Sequence, residues 1–137
     1  MKIWQKITLS VMLGGNIIFM FMPWFGALKG VQEVSGTIVL INPITIICIG
    51  LILAGIWIKK IGKMQNPLIY TGFTGIIIME VYNFFTWYTK TIHPGTDIIT
   101  SFNMVFPEYY LGLMLTVAAL TTAILFGYCR YKKEGST

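Results

Sequence analysis

Residues 67–88 read PLIYTGFTGIIIMEVYNFFTWY, a run of 22 positions with a single acid, Glu80, and no lysine, arginine or histidine. As a helix, that run spans about 33 Å, enough to cross a hydrocarbon core of about 30 Å. Backbone groups in lipid must be satisfied within their own segment, so the run reads as a transmembrane helix and not as an open strand. The alternation that marks a membrane β-barrel is missing.

Three further apolar runs lie around it. One covers residues 7–25, one ends at Ile58 after starting between Ile38 and Pro43, and one covers residues 109–129. The composition agrees: 55% of the 137 residues are hydrophobic and 11% are charged, against about 25% charged in ordinary soluble domains. A soluble fold of this size cannot hide so much apolar surface. That excludes a soluble enzyme, a disordered tail and a nucleic-acid module. The expected fold is an all-α membrane protein: one domain of four transmembrane helices packed as a bundle, with the bilayer as its solvent. The first apolar run is longer than a signal-peptide core, and Trp24-Phe25-Gly26-Ala27 is a poor cleavage site. It therefore reads as an uncleaved first helix.

The net charge of +5 is a topology signal. Lys2 and Lys6 precede the first run, Lys59, Lys60 and Lys63 separate the second from the third, and Arg130, Lys132 and Lys133 follow the fourth. The other two connections hold only Lys29 and Lys90. The positive-inside rule then places both termini in the cytoplasm of a bacterial or archaeal cell, with the protein in its plasma membrane.

Turn and cap residues mark the boundaries. Asn66-Pro67 reads as an N-cap followed by proline at the first helical position. Phe106-Pro107-Glu108 starts the last helix, with an acid in its positive first turn. Asn42-Pro43 offers a third such start. In that case residues 37–41, rich in β-branched side chains, are extended and pair with residues 31–34 as a short outer β-hairpin. Otherwise the second helix starts near Thr37 and Pro43 kinks it. Trp24, Phe25, Trp87, Tyr88, Tyr109 and Tyr110 sit at the outer boundaries and read as an interfacial aromatic belt.

Glu80 is the one acid or base inside any span. A carboxylate there costs about 2.5–3.5 kcal/mol on insertion scales, so it must be neutral, paired or hydrated. On a helical projection Gly72, Gly75, Met79, Glu80, Asn83 and Thr86 share one arc, and Phe73, Ile77, Ile78, Val81, Phe84 and Phe85 lie opposite, toward lipid. A small, polar face of this kind packs inward. Asn16, Asn42 and Asn83 fall in the same outer half as Glu80, and together the four are candidates for a binding or transport site lining a cavity open to the exterior. The alternative is that Glu80 only ties helices together. Gly112, Thr116, Ala119, Ala123 and Gly127 form a small-residue stripe, expected to pack within the bundle more readily than to form a dimer seam.

Cys48 and Cys129 read as free thiols, since no Cys-x-x-Cys or Cys/His cluster exists. His93, beside Pro94, reads as a plain turn residue. There is no nucleophile elbow, zinc helix or phosphate loop, so no catalytic residue, metal or cofactor is expected.

Phe21-Met22-Pro23-Trp24-Phe25, followed by Gly26, Gly30 and Gly36, resembles an outer loop of small uncharacterised bacterial tetraspan membrane proteins. Tyr110-Leu111-Gly112-Leu113 is similar to the start of their last helix. The resemblance implies a topology and no activity. The chain departs from small multidrug transporters, which carry their acid in the first helix. It also lacks the paired cysteines of thiol-oxidising four-helix proteins.

The expected function is non-enzymatic: an accessory, regulatory or immunity-type membrane protein that binds another membrane protein or itself. A small transporter or channel using Glu80 is the alternative, and a holin-like lysis protein a weaker one.

Overall fold

The structure, a computed structural model, describes residues 1–26, 33–87 and 103–134. The expectations for Lys29, Gly30, Val31, Tyr88, Lys90 and His93 lie outside the described residues. The chain is mostly helical. Helix α1 (Ile3–Met20) leads into strand β1 (Pro23–Phe25). Strand β2 (Val34–Ser35) precedes a single helical turn, α2 (Thr37–Leu40), and then α3 (Pro43–Trp57). A 3-10 helix (Lys59–Met64) runs into α4 (Gln65–Thr86), and α5 (Pro107–Glu134) completes the described chain.

Among the described residues, three helical runs are long and apolar enough to cross a membrane: Ile3–Met20, Lys59–Thr86 and Pro107–Lys132. The helix Pro43–Trp57 is apolar but shorter, at 15 residues.

Local chemistry explains most boundaries. Asn42 caps α3, its side chain accepting the Ile44 N–H at 3.0 Å, and Pro43 occupies the first turn, where its missing N–H leaves no bond unmade. Pro107 opens α5 in the same way, with Glu108 in the first turn. Asn66 is not the cap expected for α4. The 3-10 helix already supplies helical backbone, so α4 starts at Gln65 and Asn66-Pro67 fall inside its first turn. The 3-10 segment is itself broken at Gly62, whose φ of 57° is a left-handed value that a side chain would resist.

The small outer sheet exists with different partners from those expected. β1 pairs antiparallel with β2, Phe25 opposite Val34 and Pro23 opposite Ser35. Residues 37–40 are helical, not extended, because the Gly36 carbonyl accepts from Val39 and Leu40 and closes a helical turn. On its other side β1 holds the start of α5: the Phe106 N–H donates to the Trp24 carbonyl at 2.9 Å, and the Gly26 N–H to the Met104 carbonyl at 2.8 Å.

Helix α3 lies along α4, α4 along α5, α5 along α1, and α1 touches α3. Glycines set the closest approach. A Cβ on Gly72 would lie 2.7 Å from the Cys48 carbonyl oxygen and would overlap the Ile52 side chain. One on Gly55 would lie 2.9 Å from the Gln65 carbonyl oxygen. Both hold α3 against α4 at a separation that only small residues permit. Because α2, α3 and α5 all pack on α4, its buried arc is wider than its polar face. Phe73, expected toward lipid, is fully buried, and Phe84 is half-buried. Ile78, Val81 and Phe85 are exposed.

Candidate functional site

Asn16 on α1, Glu80 on α4 and Thr116 on α5 converge in the interior. Each helix brings its residue inward because its neighbours on the same stripe are small or apolar: Leu13 and Met20 beside Asn16, Gly72 and Met79 beside Glu80, Ala119 and Ala123 beside Thr116. Glu80 is 0% exposed, and Asn16 and Thr116 are each 1% exposed.

Glu80 Oε1 accepts from the Asn16 side-chain amide at 2.8 Å and from the Thr116 hydroxyl at 3.0 Å. The Asn16 amide also reaches the Thr116 hydroxyl and, at 3.1 Å, the Gly112 carbonyl. Thr116 has the same carbonyl within 3.0 Å. The group is thus a three-helix tie, closed around one carboxyl oxygen. Glu80 Oε2 and Asn16 Oδ1 are also buried, and neither has a hydrogen-bond partner among the described residues. Each can accept one more donor, so the cluster has the chemistry to hold a proton, a water molecule or a cation.

An aromatic layer lies directly beside this cluster. Gly112 links the two: its carbonyl faces Asn16 and Thr116, and a Cβ there would lie 3.3 Å from the Trp24 ring. The Trp24 indole donates to the Phe19 carbonyl at 2.7 Å and meets Tyr109 edge-on, with ring centres 5.3 Å apart. Phe25 stacks on Trp87 at 5.2 Å, and Phe84 stacks on Tyr109 at 5.2 Å. Trp24, Phe25, Trp87 and Tyr109 are therefore core residues and not the interfacial belt expected of them; Tyr110 is the exposed one. β1 pairs with β2 and with the start of α5, and this places the rings against one another, where they are buried.

Comparison of the chain with family models, with curated proteins and with solved structures finds no match.

Of the four polar candidates, the structure brings Asn16 and Glu80 together. Asn83 is buried and donates to the Met79 carbonyl of its own helix at 2.9 Å. Asn42 is spent on capping α3. Asn16, Glu80 and Asn83 are all buried, and Glu80 is held in a tie closed around one oxygen. The small-residue positions pack inward: Gly72 and Gly75 against α3, Gly112 against Trp24, and Gly127 against the Tyr70 hydroxyl, with Ala119 and Ala123 buried. Thr116, expected only to pack, is a hydrogen-bonding member of the site. Its spacing of four from Gly112 was the available signal, because a hydroxyl one turn along reaches that carbonyl. Among the described residues no three His, Cys, Asp or Glu side chains gather as a metal site would require.

Proposed function

We propose that this chain is a plasma-membrane protein with four spans and both termini in the cytoplasm, and that it works without enzymatic chemistry, by binding a partner in the membrane. The observation that carries this reading is the enclosure of Glu80. Its hydrogen-bonded oxygen is taken up by Asn16 and Thr116, and the aromatic layer lies against the cluster. A carboxyl spent on joining three helices rigidifies a scaffold, and a rigid scaffold acts through its outer faces.

Two features support the topology. The helical turn α2 followed by α3 gives an apolar run from Thr37 to Trp57, long enough for a fourth span. Lys2, Lys6, Lys59, Lys63 and Arg130 line neighbouring pockets at one end, as one cytoplasmic surface requires.

The test is native mass spectrometry of the tagged chain extracted gently from its own membrane. A stoichiometric foreign protein is the expected result. A lone monomer or homo-oligomer that moves protons or cations into liposomes would overturn it.

A second reading has its own observation, the unpartnered Glu80 Oε2 and Asn16 Oδ1. These two oxygens suit a proton or cation relay. Glu80→Gln decides: lost flux with an intact fold supports the relay, and unchanged flux leaves Glu80 as a tie.

A further inference from the structure

Asn16 and Glu80 each end in a planar group with two polar atoms, an amide on one and a carboxyl on the other. One atom of each is paired, since the Asn16 amide donates to Glu80 Oε1 at 2.8 Å. The other atom of each, Asn16 Oδ1 and Glu80 Oε2, is buried and has no hydrogen-bond partner among the described residues. Both of these oxygens are acceptors while the carboxyl is ionised, so one contact holds two acceptors without a donor. Folded interiors seldom leave such atoms unmet.

A single proton removes both defects. A carboxylic acid and a primary amide pair head to head: the amide N–H donates to one carboxyl oxygen, and the O–H of the other donates to the amide oxygen. The first of those bonds is present. A proton on Oε2 turns that oxygen from acceptor into donor and gives Oδ1 its partner.

Charge argues the same way. On α1 the one charged residue is Lys6, about 15 Å along the helix from Asn16. Helix α2 has no titratable side chain, and α3 brings only Cys48, whose thiol lies against Gly75. Helix α5 brings Glu108 and Tyr109 at its start, with Tyr109 stacked on Phe84. Helix α4 itself adds Tyr70, which reaches the Ala123 carbonyl, and the exposed Tyr82. None of these groups meets a buried carboxylate with positive charge, and an uncompensated one is costly. A water molecule satisfies the two acceptors and leaves the charge standing. A hard metal cation balances the charge but asks for about six oxygen ligands, and Oε2 and Oδ1 are the two that the cluster leaves free.

We infer that Glu80 is a proton-binding site, its carboxyl held as the neutral acid with the proton on Oε2 and donated to Asn16 Oδ1. The Thr116 hydroxyl, 3.0 Å from Oε1, keeps that oxygen the accepting one and so directs the proton to Oε2. The inference rests on the cluster of the relay reading and names its cargo as a proton and not a metal cation. Flux into liposomes tests the relay, whereas the state of the carboxyl tests the proton, so either can fail alone.

Infrared spectroscopy of the full chain in lipid bilayers at neutral pH reads that state. The carbonyl band of a protonated carboxyl should be present, should move when the glutamate carboxyls are isotopically labelled, and should be lost in Glu80→Gln. Asn16→Ala and Thr116→Val each remove a donor from Oε1, so each should shift the band to higher frequency, as a carbonyl shifts on losing a hydrogen bond. Glu33 is exposed and provides the control, so Glu33→Gln should leave the band in place. A parent without the band, in which Glu80→Gln instead removes an ionised carboxylate signal, overturns the inference. So does a band that stays unmoved in whichever of Asn16→Ala and Thr116→Val melts like the parent, because the proton would then lie outside this pair. Loss of the band on adding sodium or lithium also overturns it, because a cation would then hold the place assigned to the proton.

Discussion

Asn16 on α1 donates its side-chain amide to Glu80 on α4 across 2.8 Å, joining residues 64 positions apart in the fully buried interior. Glutamine at position 80 keeps the accepting oxygen and adds an amide where Oε2 stood. Glu80→Gln should therefore change stability by less than about 1 kcal/mol. Alanine leaves the Asn16 amide short of an acceptor and opens a void. Glu80→Ala should cost about 1–3 kcal/mol. Unfolding in detergent mixtures measures both, and an equal loss in the two variants would show that the carboxyl does more than accept hydrogen bonds.

The α3–α4 contact depends on Gly72. A methyl group there meets the Cys48 backbone carbonyl at 2.7 Å, and backbone cannot swing aside. Gly72→Ala should cost about 1–3 kcal/mol through overpacking. Gly50 has nothing within 4 Å of a Cβ built on it, so Gly50→Ala should be neutral or stabilising by up to about 1 kcal/mol. Thermal denaturation of the pair compares close approach with helix propensity on the same helix–helix unit.

Four tryptophans divide into two classes. Trp24 and Trp87 are 0% and 1% exposed, whereas Trp4 and Trp57 are each about half exposed. Brominated lipids should quench Trp4 and Trp57 fluorescence and leave Trp24 and Trp87 nearly untouched, as read with single-tryptophan variants. Trp24→Ala should cost about 3–5 kcal/mol, because it empties the space between Gly36, Gly112 and Tyr109.

The two thiols should also separate. Cys129 is exposed near the end of α5, and Cys48 is buried against Gly75. A membrane-impermeant maleimide should modify Cys129 in inside-out vesicles, spare it in intact cells, and leave Cys48 unmodified until the protein unfolds. Labelling of Cys129 in intact cells would reverse the proposed orientation.

Much of the fold is legible locally. Asn42-Pro43 and Pro107-Glu108 start helices because side-chain acceptors and a missing N–H act within one turn. The inward face of α4 follows from the period of Gly72, Met79, Glu80 and Asn83. Phe73 escapes that reasoning, because a periodicity argument allows one buried face and α4 is packed on several sides. Trp24 escapes it as well: a ring at an apolar boundary looks the same whether the chain beyond runs into water or folds back through β1.

By itself the sequence determined that this chain forms helices long and apolar enough to cross a membrane, and where most of them begin. Hydropathy and capping are sums over neighbours, so they can be read without the fold. Only the tertiary structure decided that Asn16 and Thr116, 100 positions apart, share the Glu80 carboxyl. It also decided that the aromatic rings close over them and that Lys6, Lys59 and Arg130 meet at one pocket. Those outcomes depend on the order and rotation of packed helices, which no local property of the chain encodes.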